Sequence, residues 1–254
     1  MHIRRLKRKA RQFAGRLEDL RAAHPEPGFR WFPYPIMDNI GALDGLLKGG
    51  NRKLFEEIRG GVVADLGAAD GDLSFFLESL GFTVDLVDTA HANFNGMNGA
   101  YWLKKELDSD VAIHDLDLDR FPPLPRESYD LVLLLGTLYH LKNPYGLLEQ
   151  LAETSRYLLL STRVTALSAA NGVELSETPV AYLLGADELN GDATNFWLFT
   201  VEGLHRLVER CGWQIRDHVS FGAVGRSTPQ DLDRDERAWL FLESTRVNRE
   251  KFRT

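Results

Sequence analysis

Asp65, Gly67, Ala69, Gly71 and Asp88 are the residues whose types and spacing most directly imply chemistry. The apolar run Val62 to Leu66 carries Asp65, passes through Gly67-Ala68-Ala69-Asp70-Gly71, and opens the amphipathic segment Leu73 to Leu77. A buried strand, a tight turn and a helix start, in that order, bring backbone N–H groups close to a nucleotide-like ligand. A dinucleotide loop would carry a third glycine where this chain has Asp72, to seat the helix against the strand. Here the last glycine falls one residue earlier, at Gly71. A second apolar run, Phe82 to Val87, ends in Asp88. A carboxylate there can accept hydrogen bonds from the hydroxyls of an adenosine ribose. The plainer reading of Asp88 is a solvated turn carboxylate.

The second chemically expressive stretch is Leu135 to Pro144. Gly136 allows close approach of the backbone to a ligand, because no Cβ intervenes. Tyr139 and His140 follow it. His140 titrates near neutrality, which suits a general base when the acceptor carries a proton that must leave. A histidine that caps a turn or pairs with a carboxylate fits the same position equally well. No metal ligands are assigned.

Asp65 two residues ahead of Gly67, followed by Gly-x-Ala-x-Gly and then Asp88, resembles the first motifs of class I S-adenosylmethionine (SAM)-dependent methyltransferases. The resemblance implies a loop that accommodates an aminoacyl-sulfonium and a ribose. It implies an α/β, Rossmann-like, seven-stranded sheet, mostly parallel with an antiparallel last strand, plus an N-terminal helical extension. It assigns cofactor contacts to Asp65, Gly67, Ala69, Gly71 and Asp88, and Gly136 to the methionine part. It also gives Asp115 to the adenine amino group and Leu116 to a place beside the ring, with Asp117 as a substitute for Asp115. Methyl transfer is an in-line displacement, so alignment and exclusion of water are the main requirements.

Gly136-Thr137-Leu138-Tyr139-His140-Leu141-Lys142-Asn143-Pro144 looks like a segment of the enzymes that carboxymethylate wobble uridine in bacterial tRNA. Asn195-Phe196-Trp197, Phe199 to Leu204 and Cys211-Gly212-Trp213 are similar to their C-terminal segment. That likeness implies that Tyr139 helps hold the carboxylate of carboxy-SAM. The group's basic clamping residue before the first strand, and its arginine near the C-terminus, have no match found in the sequence. Ordinary SAM and a smaller acceptor are therefore expected.

The elements that position these residues alternate strand and helix, the pattern of a doubly wound sheet. Further strands are expected at Val111–His114, Tyr129–Leu135 and Tyr157–Ser161, with a helix at Thr200–Cys211. Trp213–Phe221 and Ala238–Glu243 complete the set as a hairpin, since the connection lacks room for a crossover helix. Asn39–Ile58 reads as one helix that stops at Gly60-Gly61. Residues 1–60 form an extension and pocket cover, 61–246 the SAM-binding domain, and 247–254 a tail. Residues 163–199, with turns at Asn171-Gly172 and Gly191-Asp192, are longer than an ordinary connection and read as a lid. Tyr34, Arg163, Asn195 and Trp197 are the candidate substrate contacts, with Tyr182 and Phe196 as either lid core or pocket wall. Tyr34 lies in an aromatic, proline-rich stretch after Pro25 and Pro27, which either covers the cofactor or clasps the extension to the body.

The chain has 254 residues, 44% of them hydrophobic and 26% charged, as in a globular protein. No apolar run spans a bilayer, and no apolar region follows the basic N-terminus, so neither a transmembrane segment nor a secretory signal is expected. The single cysteine, Cys211, is compatible with a cytoplasmic location and is expected half-buried at a helix end. A net charge of −7 gives no global attraction for nucleic acid. Residues 1–21 are nevertheless a basic amphipathic helix, which either docks its apolar stripe or touches an anionic membrane or RNA. Three functions follow: methyl transfer to a small-molecule acceptor, RNA modification, and a non-catalytic binding module that keeps the fold. Oligomeric state and the choice between O- and N-methylation are not encoded in these patterns.

Overall fold

The computed structural model describes residues 2–24, 28–169, 172–247 and 252. Pro25, Pro27, Asn171 and most of the tail read at 247–254 lie outside the described residues. Two compact units, residues 1–133 and 134–254, divide the chain.

The first unit runs α1 (Ile3–Ala23), α2 (Asn39–Leu46), α3 (Leu54–Glu57), β1 (Val62–Leu66), α4 (Asp72–Glu78), β2 (Thr83–Asp88), α5 (Asn98–Leu107), β3 (Ala112–Asp115) and most of β4 (Tyr129–Leu135). Its strands lie in the order β3-β2-β1-β4. β2 is parallel to both neighbours, with Leu66 opposite Val87 and Asp88 opposite Asp115. Gly67, Asp88 and Asp115 therefore stand together at the carboxyl ends of β1, β2 and β3, where open α/β sheets bind ligands. Val63, Ala64, Leu66, Val84, Leu86 and Val87 are buried. Strands covered on both faces need such near-continuous apolar runs.

The helix expected over Asn39–Ile58 is interrupted. Gly49 takes φ +49°, in the left-handed region, and a 3-10 turn at Gly49–Lys53 separates α2 from α3. Glycine enters that conformation without a Cβ clash, which breaks the α-helical path. α1 docks as one reading expected. Ile3, Leu6, Ala10, Phe13 and Leu17 are buried, and the Phe13 ring lies 5.7 Å from that of Phe76. Lys7 pairs with Asp44 at 2.9 Å, while Arg4, Arg5, Arg8, Arg11 and Arg16 face solvent. Among the described residues no helix is long and apolar enough to cross a membrane.

The second unit holds the end of β4, α6 (Pro144–Thr154), β5 (Ser155–Val164), β6 (Ala181–Leu183), β7 (Trp197–Phe199), α7 (Val201–Arg210), β8 (Trp213–Gly222) and β9 (Glu236–Ser244). β9 is antiparallel to both β5 and β8. This is the expected antiparallel last strand, and the fold is the expected mixed, mostly parallel, Rossmann-like α/β class with an N-terminal helix. The described strands number nine rather than seven, because the segment after β5 adds the short hairpin β6–β7. Leu184, Leu189 and Leu198 pack together beneath it, with Tyr182 against them. Thr200 caps α7, its Oγ1 accepting from Gly203 N–H at 3.0 Å. Cys211 is fully buried rather than half-buried, and burial pushes its thiol up to about 12.

Candidate active site

The loop after β1 alternates left-handed residues: Gly67 at φ +71°, Ala69 at +54° and Gly71 at +83°. A Cβ on Gly71 would stand 2.5 Å from Leu86 Cδ1, so this glycine lets α4 close against β2. Gly67 N–H donates to Val87 O at 2.8 Å, fixing the start of the turn. Ala69 N–H points at Asp88 and donates to Oδ2 at 2.8 Å. The same carboxylate receives Thr89 N–H on Oδ1 at 2.7 Å and Asn93 Nδ2 on Oδ2 at 3.1 Å. Burial raises the Asp88 pKa, and these donors counter it. A carboxylate offers about four acceptor positions. Three are taken, so one ribose hydroxyl can be received on Oδ1 as the loop stands. A second would have to displace Ala69 N–H or Asn93.

Asp65 is committed elsewhere. Its buried carboxylate accepts from Ser74 Oγ at 2.7 Å, tying β1 to the first turn of α4. Burial, with smaller contributions from the Asp88 and Asp72 charges, pushes it up to about 7. Asp115 accepts from Ala90 N–H at 3.0 Å and is otherwise exposed. Leu116 N–H donates to Asp88 O at 2.8 Å, which holds the end of β3 against that of β2. Asp117 caps the following turn, accepting from Asp119 N–H at 3.1 Å and Arg120 Nε at 3.0 Å. With those duties it is the poorer candidate for an adenine contact.

Several residues of this cradle were missed in the sequence. Asp70, buried, accepts from Phe32 N–H at 2.8 Å and Asn95 Nδ2 at 2.7 Å, and so anchors the aromatic stretch. Arg21 reaches Asp72 through two hydrogen bonds of 2.6 and 3.2 Å, and its guanidinium lies 4.9 Å from the Trp31 ring centre. Asn93 and Asn95, shortly after Asp88, were the one local signal available. Tyr34 stands 66% exposed with its ring 5.4 Å from Phe32, as part of a surface aromatic cluster.

In the second unit, Gly136 turns at φ +77°, and a Cβ there would lie 3.1 Å from Arg237 Nη1. Leu138–His140 form a 3-10 turn. The Tyr139 and His140 rings lie 4.2 Å apart, and the Arg237 guanidinium stands 5.8 Å from the Tyr139 ring centre. His140 Nδ1 is 3.2 Å from Thr194 O and 3.1 Å from Thr194 Oγ1. In the tautomer that donates Nδ1–H to the carbonyl, Nε2 keeps its lone pair. Burial lowers the His140 pKa, which favours the neutral imidazole that a general base requires. Arg163, 95% buried by its 5% exposure, has Nε 2.8 Å from Asp235 Oδ1, out of line for a hydrogen bond.

Asn195 is buried, donates Nδ2 to Leu189 O at 3.0 Å, and has no partner for Oδ1 among the described residues. Trp197 Nε1 donates to Lys142 O at 3.3 Å, while Phe196 N–H donates to Tyr139 O at 2.8 Å. The segment 163–199 is thus pinned along the Tyr139–Lys142 turn, and the Trp197 indole serves that attachment. An open cavity of about 420 Å³, lined by Leu167, Thr228, Gln230 and Asp231 among others, contains none of the candidate catalytic, cofactor or substrate residues named from the sequence. Among the described residues no cluster of His, Cys, Asp and Glu is arranged to hold a metal.

Comparison with known proteins adds a family. A family described as "Methyltransferase domain" matches residues 42–218, and the chain belongs to it. No curated protein matches the sequence significantly. Among solved structures, the N-terminal domain of EvdMO1 with SAH bound aligns at a TM-score of 0.56 and 16% identity, covering 96% of this chain and 98% of that one. An S-adenosylmethionine-dependent methyltransferase from Mesorhizobium loti aligns at 0.56 and 19% identity, covering 74% and 92%. A methyltransferase described as putative, from Bacillus halodurans, aligns at 0.54 and 12% identity, covering 77% and 98%. At these identities the likeness is one of fold. The narrower resemblance to the wobble-uridine enzymes receives no support from these matches.

Proposed function

We propose that the chain is a SAM-dependent methyltransferase acting on a small-molecule acceptor, by O- or N-methylation. Family membership supports the reaction class, and one observation carries the donor: Asp88, at the end of β2, keeps acceptor capacity beside a loop of three left-handed residues. When bound, SAM supplies an electrophilic methyl group on a sulfonium. Asp88 receives the ribose, Ala69 and Gly71 shape the loop, and Asp115 with Leu116 serve the adenine. Asp65 supports the loop from beneath through Ser74. Gly136 and Tyr139 serve the methionine end, and His140 Nε2 takes the acceptor proton where the acceptor is a hydroxyl. A cytoplasmic location is part of this reading.

Calorimetric titration with S-adenosylhomocysteine (SAH) tests it. Micromolar binding is expected in the wild-type chain, weakened roughly 10- to 100-fold in Asp88→Ala, the loss of one to two charge-assisted hydrogen bonds. Absence of binding to SAM and SAH alike would remove the enzyme reading and leave a binding module.

The exposed face of α1 favours a second reading, an RNA acceptor. It predicts salt-sensitive RNA binding that charge reversal at Arg4, Arg8 and Arg11 abolishes. Deleting residues 1–21 is not a clean test, because that would strip buried Leu6, Phe13 and Leu17 from the body.

A further inference from the structure

The β5–β9 register sets Arg163 directly opposite Arg237. Like charges opposed on antiparallel strands are destabilising unless something neutralises them. Arg163 finds Asp235, without an aligned hydrogen bond, and a long 3.5 Å contact from Nη2 to Asp231 O. Among the described residues, no carboxylate or carbonyl takes the side chain of half-buried Arg237. It rests against the open side of Gly136 and 5.8 Å from the Tyr139 ring centre. The acids nearby are otherwise engaged: Asp231 pairs with Arg234 at 3.2 Å, and Asp192 accepts from Thr194 Oγ1 at 2.6 Å. Burial lowers the His140 pKa, which favours its neutral form. Asp235 is the one carboxylate set against the two guanidinium groups, and it reaches only Arg163.

We infer that Arg237, with Arg163 behind it, receives a carboxylate carried by the methyl acceptor, beside Tyr139 and His140. Arg237, with no side-chain acceptor among the described residues, keeps its N–H donors for a ligand. A guanidinium fork matches the planar, two-oxygen geometry of a carboxylate. Gly136 keeps clear the space around Nη1. The acceptor class is therefore a carboxylic acid whose second functional group, the one methylated, faces His140. This inference rests on the methyltransferase reading.

The test uses the full chain saturated with SAH, titrated calorimetrically with benzoate and with its uncharged counterpart benzamide. Saturable benzoate binding is expected, with none for benzamide at the same concentrations. Arg237→Gln should weaken benzoate at least tenfold, Arg237→Lys should restore part of the loss, and Asp235→Asn should tighten it several-fold by freeing Arg163. Arg237 is half-exposed and outside the core, and circular dichroism on each variant confirms that it is folded. Equal binding of benzoate and benzamide, or benzoate affinity unchanged in Arg237→Gln, overturns the inference. A third arm compares SAH with its decarboxylated analogue. If Arg237→Gln weakens SAH as much as benzoate but leaves the analogue untouched, the anion held is the donor's own, and the inference also falls. Failure of SAH to bind the wild-type chain is a separate result, which strikes the donor reading alone.

Discussion

The cradle of the first unit and the turn around Tyr139 in the second differ in how their charges are satisfied. Around Asp88 and Asp70, carboxylates are met by backbone N–H groups and asparagine amides within hydrogen-bonding distance. Around Tyr139, by contrast, Arg237 has no hydrogen-bonded or ionic side-chain partner among the described residues, and Asn195 Oδ1 is unmet there. A pre-formed cradle suits a ligand of fixed chemistry, since donors already held in place cost little further ordering on binding. An under-committed cluster suits a ligand that supplies the missing acceptor. On the proposed reading, the donor side is built by the fold and the acceptor side is left for the substrate to complete.

The strongest way to break this contrast is at Arg21. Its two hydrogen bonds hold Asp72, whose side chain is only 7% exposed. Arg21→Ala leaves that carboxylate buried without its cation, and the loss should be about 2–3 kcal/mol, somewhat below the range for a wholly buried pair because Arg21 is partly solvated. Urea unfolding measures it. An Arg21→Ala, Asp72→Asn double variant should recover part of the loss. If the single variant is as stable as the wild type, the cradle is not held by this pair.

Asp65 gives the next effect, and its sign is opposite to that of most carboxylates. Its folded pKa of about 7 lies above the ordinary value of 3.8. The folded chain therefore binds the proton more tightly, and stability falls as pH rises from about 4 to about 7. Asp65→Asn keeps an oxygen for Ser74 and removes the charge. It should raise the melting temperature at pH 8 by several degrees and flatten the pH dependence in that window. An unchanged pH profile would mean that Asp65 is ionised at neutral pH and is better solvated than its burial implies.

These two sites also mark what was legible in the sequence. Gly67, Gly71 and Asp88 could be read because their signal is local: a turn needs left-handed residues, and the strand end follows from the apolar run. Arg21 and Asp72, or Arg163 and Arg237, meet only through helix docking and strand register, which no local pattern carries. The break at Gly49 was overlooked because apolar residues on both sides kept helical spacing. The β6–β7 hairpin escaped notice because three residues are too few to show an alternation. In the second unit, Tyr139 and His140 were visible as residue types, while their partners Thr194 and Arg237 were not.

His140 should give a smaller effect on stability. Burial holds its folded pKa below the ordinary 6.5. Above that value both states are neutral; as pH falls below it the unfolded chain takes the proton first, so stability is lost progressively until the folded pKa is passed. His140→Gln should abolish that slope with little change at pH 8, while any acceptor hydroxyl methylation should drop roughly 10²-fold or more. A methylation rate unaffected by the substitution would assign His140 to the Thr194 attachment alone.

Ala69 is the finest probe of the cradle. It occupies φ +54° between two glycines that share the left-handed conformation, and it is buried. An alanine in that region costs about 1 kcal/mol relative to glycine. Glycine, however, gives the unfolded chain more freedom, which costs about 0.4–1 kcal/mol in the other direction. Ala69→Gly should therefore change stability by less than about 0.5 kcal/mol, and SAH affinity by less than about threefold, because Ala69 N–H still points at Asp88. A β-branched residue cannot relax in this way, and Ala69→Val should cost about 2 kcal/mol and loosen the Asp88 contact. If Ala69→Gly weakened SAH tenfold while stability held, the methyl group itself would be touching the ligand. Ala69 would then be a recognition element rather than a tolerated substitute for glycine.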